Sequence, residues 1–148
     1  MNGIPRVVFD TNILFSAVGW LGNPHHCVQA ARQGRCISLT CEAILEELRE
    51  KLQIKRNFSA GRAAEVTEEI CLFSKIISTP GTLKAIRADP DDDWVLECAV
   101  FGQATHLVSG DKHLLALGTY QNIQIVQVAA FLNLIQGGPN SIGANLTF

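Results

Sequence analysis

An α/β fold, with a parallel sheet covered by helices on both faces, is what the sequence predicts. Three observations predict it. Short β-branched or aromatic runs recur along the chain, amphipathic helical stretches separate them, and two of the runs lead into an aspartate, one directly at Asp10 and one through Ser109-Gly110 at Asp111. Runs apolar on every residue suit strands buried on both faces, and strands alternating with helices suit parallel pairing through crossovers.

The first run, Arg6 to Phe9, ends at Asp10-Thr11-Asn12, which reads as a strand meeting a helix-initiating polar turn. Pro24 opens a helix through Ala31 that stops at Gly34, and Cys36 to Leu39 forms a second strand. Thr40 suits the N-cap of a helix over Cys41 to Leu52, with Ile44, Leu45, Leu48 and Leu52 on one stripe and Glu47 at its border. A further helix covers Ser59 to Phe73, and Lys75 to Ser78 makes a weak third strand before Pro80-Gly81. Asp91 or Asp92 then caps a helix carrying Val95, Leu96 and Ala99 inward, followed by a fourth strand, Thr105 to Val108. Lys112 to Leu117 gives a short helix, Ile123 to Val126 a fifth strand, and Ala129 to Ile135 a closing helix. One domain over residues 1–136, with a C-terminal tail over 137–148, accommodates the pattern; no repeat or biased linker divides it.

At 148 residues and 47% apolar, the chain is long enough to bury a core. No stretch approaches the roughly 20 apolar residues of a membrane span, and Met1 to Arg6 lacks a secretory profile, so a soluble, cytoplasmic protein with no membrane partner is expected. The five cysteines are odd in number and form no CxxC pair, which argues for small buried hydrophobes rather than zinc ligands or disulfides. Net charge is −2, so nothing global advertises a polyanion partner. Locally, Asp89, Asp91, Asp92 and Asp93 form an acidic knot, while Arg49, Lys51, Lys55, Arg56 and Arg62 form a basic stretch. That stretch is either a solvated helix end or a rim for phosphates.

Ligands of open parallel sheets bind beyond the carboxyl ends of the strands, where the strand order reverses. If the first and fourth strands flank that reversal, Asp10 and Asp111 converge. Two close carboxylates resist joint ionisation unless a cation neutralises them. Asp92 adds a third acid at the start of the preceding helix. It is preferred to Asp93 because an inward Asp93 would bring Glu97 onto the buried face one turn later. Oxygen ligands with no histidine or cysteine among them suit Mg2+, with Mn2+ able to substitute. Such an ion activates water and neutralises a scissile phosphate, which points to phosphodiester hydrolysis.

Four segments carry a family resemblance: Val7 to Ala17 (VVFDTNILFSA), Ile44 to Leu52 (ILEELREKL), Asp89 to Leu96 (DPDDDWVL) and Leu107 to Leu115 (LVSGDKHLL). In this order they resemble the successive motifs of PIN-domain ribonucleases, and more narrowly the bacterial toxins related to VapC. The resemblance runs from about Arg6 to Ile135. It implies a three-layer α/β/α fold around a five-stranded parallel sheet in the order 3-2-1-4-5. It also implies an acid quartet binding the metal ion: Asp10, Asp92 and Asp111, with the second acid at Glu47 in preference to Glu46. Asn12 would orient a water or a carboxylate, and Ser109 matches a small hydroxyl residue before the last acid; as plain sequence, the two are a cap and a turn former. His113 stands where relatives often carry another aspartate, which favours one firmly held ion. His106 reads as structural, and His25 and His26 lie near a helix start.

The function implied is a magnesium-dependent endoribonuclease, the toxin of a toxin–antitoxin pair. It would work as a homodimer on an RNA substrate and be silenced by a cognate antitoxin laid over the acidic cleft. Two alternatives stand beside it: a catalytically silent PIN module that binds RNA or protein, and a metal-dependent phosphatase on a similar sheet. Against the latter, acyl-phosphate chemistry wants an aspartate where this chain has Asn12.

Overall fold

The computed structural model describes residues 3–80 and 90–136, with only the helical backbone described for Pro90, Asp91 and Asp92. Three apolar runs make the centre of one sheet. Strand β1 (Arg6–Phe9) pairs in parallel with β2 (Ile37–Thr40) on one side and with β4 (His106–Val108) on the other. Val7, Val8, Phe9, Leu39, Leu107 and Val108 are all buried, as strands covered on both faces require. Beyond β2 lies β3 (Ser74–Ile76), and beyond β4 lies β6 (Ile123–Val126), both parallel.

The parallel part therefore has the expected order, 3-2-1-4 followed by the predicted fifth strand. The sheet has one strand more than expected. Thr119–Tyr120 forms β5, antiparallel to β6 at the edge, giving the order β3-β2-β1-β4-β6-β5. Gln121 (φ 47°) and Asn122 (φ 69°) both adopt the left-handed conformation that a two-residue hairpin needs.

Helices α1 (Thr11–Gly19) and α2 (Asn23–Arg32) connect β1 to β2, and α3 (Glu42–Arg56) and α4 (Ala60–Leu72) connect β2 to β3. Helix α5 (Pro90–Phe101) runs back against the sheet to feed β4; α6 (Lys112–Leu117) follows that strand, and α7 (Val128–Gln136) packs on α2. Helix α3 buries Ile44, Leu45, Leu48 and Leu52, as its stripe predicts, and continues a turn further than expected to Asn57 in the left-handed conformation (φ 56°). Its N-cap is Cys41 rather than Thr40. Thr40 still belongs to β2, and its buried hydroxyl has no hydrogen-bond partner among the described residues.

Four cysteines are buried, but Cys71 is exposed on α4. Burial pushes the Cys27 thiol up to about 12 and the Cys36 thiol to about 11, so neither offers a thiolate at neutral pH. Among the described residues no helix is long and apolar enough to cross a membrane. Residues 81–89, Asp89 of the acidic knot among them, and residues 137–148 lie outside the described residues.

Candidate active site

Asp10 follows β1 directly, and its backbone N–H still donates to the Val108 carbonyl of β4 (3.1 Å). The side chain then turns to its other duty. Oδ1 accepts from the Ile13 N–H (2.9 Å) and caps α1, while Oδ2 accepts from the Ser109 hydroxyl. Ser109 is fully buried at the end of β4, where its N–H donates to Val126 of β6 (3.0 Å). Its Oγ also accepts from the Asp111 N–H (2.9 Å), so one hydroxyl links both aspartate positions. Asp111 in turn caps α6 through Oδ1, which accepts from the His113 and Leu114 N–H groups (2.8 and 3.1 Å).

Only 5% of Asp10 is exposed. Its pKa is raised above the ordinary carboxylate value, first by burial and further by the charge of Asp111. The Ser109 and Ile13 hydrogen bonds and the Lys51 ammonium pull in the opposite direction. A buried carboxylate beside a second one is a pair that a cation would relieve. The sheet thus brings together Asp10, Ser109 and Asp111, from segments about a hundred residues apart in sequence.

A second set of contacts joins α1 to α3. The Thr11 hydroxyl donates to Glu47 Oε1 (2.6 Å), and Lys51 Nζ donates to Asn12 Oδ1 (2.5 Å) while lying 4.0 Å from Glu47 Oε2. Glu47 is thereby held by Thr11, the residue after Asp10, whereas Glu46 is exposed. Asn12 is exposed; the cap of α1 is Asp10, and Asn12 serves instead as the acceptor for Lys51. Thr11 does not stand out in the sequence as a site residue, its signal being its place directly after Asp10, and Lys51 stands out only as one member of the basic stretch read as a solvated helix end or a rim for phosphates.

Helix α5 carries Asp93 and Glu97 among its described residues. The helix packs against β1, β2 and β4. Asp93 and Glu97 are both buried, at 7% and 2% exposure, contrary to the expectation that burial would spare them. The expectation failed because neither is without a partner in the fold. Glu97 lies close enough to Cys41 and Cys98 for its charge to act on both thiols. The side chain of Asp92 lies outside the described residues. Among those that are described, no three His, Cys, Asp or Glu side chains already stand close enough together to hold an ion.

The histidines stay apart from this chemistry or at its margin. His106, half-buried in β4, packs edge-on against Phe131 (5.6 Å) with its pKa lowered by burial. His113 is half-exposed, with Nδ1 3.9 Å from Asp111 Oδ1. His25 and His26 form a ring pair in the first turn of α2.

Comparisons with known proteins agree with this architecture. Residues 6–113 match the family model described as PIN domain. The fold is similar to a chain in the crystal structure of VapBC2 from Rickettsia felis bound to a DNA fragment from their promoter. That match has a TM-score of 0.59 and 14% identity, and it covers 82% of this chain and 98% of the other. At that identity the likeness speaks to the fold alone. Comparison with curated proteins returns no match. The family model spans most of the chain and includes both strand-end aspartates, so the chain belongs to the PIN-domain family.

Proposed function

We propose that the protein is a metal-dependent endoribonuclease, and that it is the toxin of a toxin–antitoxin pair. One observation carries the enzymatic reading: Asp10 and Asp111 close adjacent parallel strands, share the Ser109 hydroxyl, and leave Asp10 buried with a raised pKa. An acidic pair of this kind is costly to the fold unless it serves a cation.

Asp10, Asp111 and Glu47 would hold the ion, with one acid from the first turn of α5. Motif position favours Asp92 for that fourth place; burial favours Asp93. An all-oxygen set suits Mg2+, with Mn2+ as substitute, and the ion would supply water activation and charge neutralisation at the scissile phosphate. The protein's own groups do the positioning. Ser109 fixes the rotamer of Asp10, Thr11 orients Glu47, and the helix caps of Asp10 and Asp111 keep both carboxylates at the strand ends. Preorganisation of this kind lowers the reorganisation needed as charge develops in the transition state.

The toxin reading rests on family resemblance and on the fold shared with VapBC2. It includes a homodimer in the cytoplasm and a cognate antitoxin laid over the acidic cleft. Purified protein should cleave an oligoribonucleotide in Mg2+ or Mn2+, and Asp10→Asn or Asp111→Asn should abolish this while circular dichroism stays native. Full activity in either variant would overturn the mechanism. An intact fold that binds RNA without cleaving it would favour the silent module. Asp92→Asn and Asp93→Asn, assayed side by side, would identify the acid from α5.

A further inference from the structure

The basic stretch noted in the sequence is sorted by the structure into separate tasks. Arg49 is committed to Thr67 (3.1 Å) and Glu42 (2.9 Å). Arg56 stacks over Phe15 (4.0 Å), with Nη1 so close to Gly19 that a Cβ there would lie 2.8 Å from it. Arg62 stacks over Phe58 (4.0 Å), and Lys55 is exposed. Among the described residues, Lys51 is the one of the five that stands against Glu47 and Asp10. Its ammonium touches Asn12, lies 4.0 Å from Glu47 and acts on the charge of Asp10.

This is more than a helical i,i+4 pair. The shortest contact of Lys51 is to the neutral Asn12 on another helix, not to Glu47 one turn away. Asn12 thus pins a positive charge beside Glu47, where the Lys51 side chain keeps 24% exposure toward solvent. An ammonium has three donors, and the Asn12 bond uses one. Resting on the nuclease reading above, we propose that Lys51 is the built-in cation of the site. It offsets the charge of Asp10 and Glu47 before an ion arrives, and it contacts a backbone phosphate of the RNA substrate.

Three variants test this: Lys51→Gln, Lys51→Arg and, as a control on the same helix, Lys55→Gln. Lys51→Met keeps the aliphatic stem if glutamine disturbs packing. Titration with Mn2+ alone should show roughly tenfold tighter binding in Lys51→Gln, because a fixed positive charge near the carboxylates opposes a second cation. Lys51→Arg and Lys55→Gln should bind Mn2+ like the wild type. Cleavage of a single-stranded oligoribonucleotide should show a raised KM in Lys51→Gln, with the slope of log KM against log salt reduced by about 0.7, the loss of one phosphate contact. Lys51→Arg should restore both. Mn2+ affinity and KM in Lys51→Gln equal to those of Lys55→Gln would overturn the proposal. If the wild type binds Mn2+ but cleaves no RNA, the nuclease reading falls, and with it the phosphate contact. The Mn2+ comparison would still judge the counter-charge.

Discussion

The floor of the candidate site, at the strand ends, and its wall, where α1 meets α3, are held by different kinds of bond. On the floor, both carboxylates accept from helix N–H groups, and the one side-chain pair there, Ser109 to Asp10, is itself held by the Asp111 N–H donating to Ser109 Oγ. On the wall, Thr11–Glu47 and Asn12–Lys51 are side chain to side chain, between two helices. Backbone ties fix position to within the rigidity of the sheet. Side-chain ties depend on rotamers that can change when charge changes. The floor is therefore a preformed anchor and the wall an adjustable one, and substitutions in the two should behave differently.

The largest effects belong to the floor. Asp10→Asn and Asp111→Asn should each lower RNA cleavage by about a thousandfold or more, since each removes a ligand of the proposed ion without removing the helix cap. Ser109→Ala should follow with a loss of roughly 10- to 100-fold, as expected for a residue that orients ligands from behind. Cleavage kinetics at saturating Mn2+ would check both. Thr11→Val, on the wall, should have a smaller effect, about tenfold, appearing mainly as weaker Mn2+ binding because excess ion can recapture a loosened Glu47. Equal losses in Ser109→Ala and Thr11→Val would dissolve the distinction.

The smallest predicted effect is on stability and has an unusual sign. Burial raises the pKa of Asp10 in the folded protein, so above the unfolded value of about 3.9 the unfolded chain releases this proton first. The ionised group then destabilises the fold increasingly as pH rises, until the folded pKa is passed. Without metal, Asp10→Asn should raise Tm by a few degrees at pH 7.5 and by nothing near about pH 4. Added Mn2+ should raise the Tm of the wild type but not of the variant. Thermal melts at the two pH values, with and without the ion, would check this.

How much was legible in the sequence follows the same division. Strand-end aspartates announce themselves, because a β-branched run stopping at Asp10 or near Asp111 is a local pattern. The β-runs Arg6–Phe9 and Ile123–Val126 and the short helix Lys112–Leu117 form where their sequences predict. The edge hairpin was invisible because left-handed Gln121 and Asn122 carry no glycine signal. Thr40 looked like a better cap than Cys41, but parallel pairing extends β2 through Thr40. The choice between Asp92 and Asp93 relied on helical phase, which treats a buried Glu97 as an error. Burial of Asp93 and Glu97 depends on the neighbours that α5 meets in three dimensions, which periodicity does not encode. Thr11–Glu47 and Asn12–Lys51 span gaps of 36 and 39 residues and follow only from how α1 lies beside α3.

If the acids at the strand ends act on RNA through a divalent ion, cleavage must follow that ion as it is removed and returned. A labelled oligoribonucleotide is incubated with the wild-type protein in Mg2+, then in excess chelator, then with Mg2+ or Mn2+ restored above the chelator. Cleavage, loss and recovery are expected in that order, with Asp111→Asn inactive throughout. Cleavage undiminished in chelator, or present in Asp111→Asn, would contradict this mechanism.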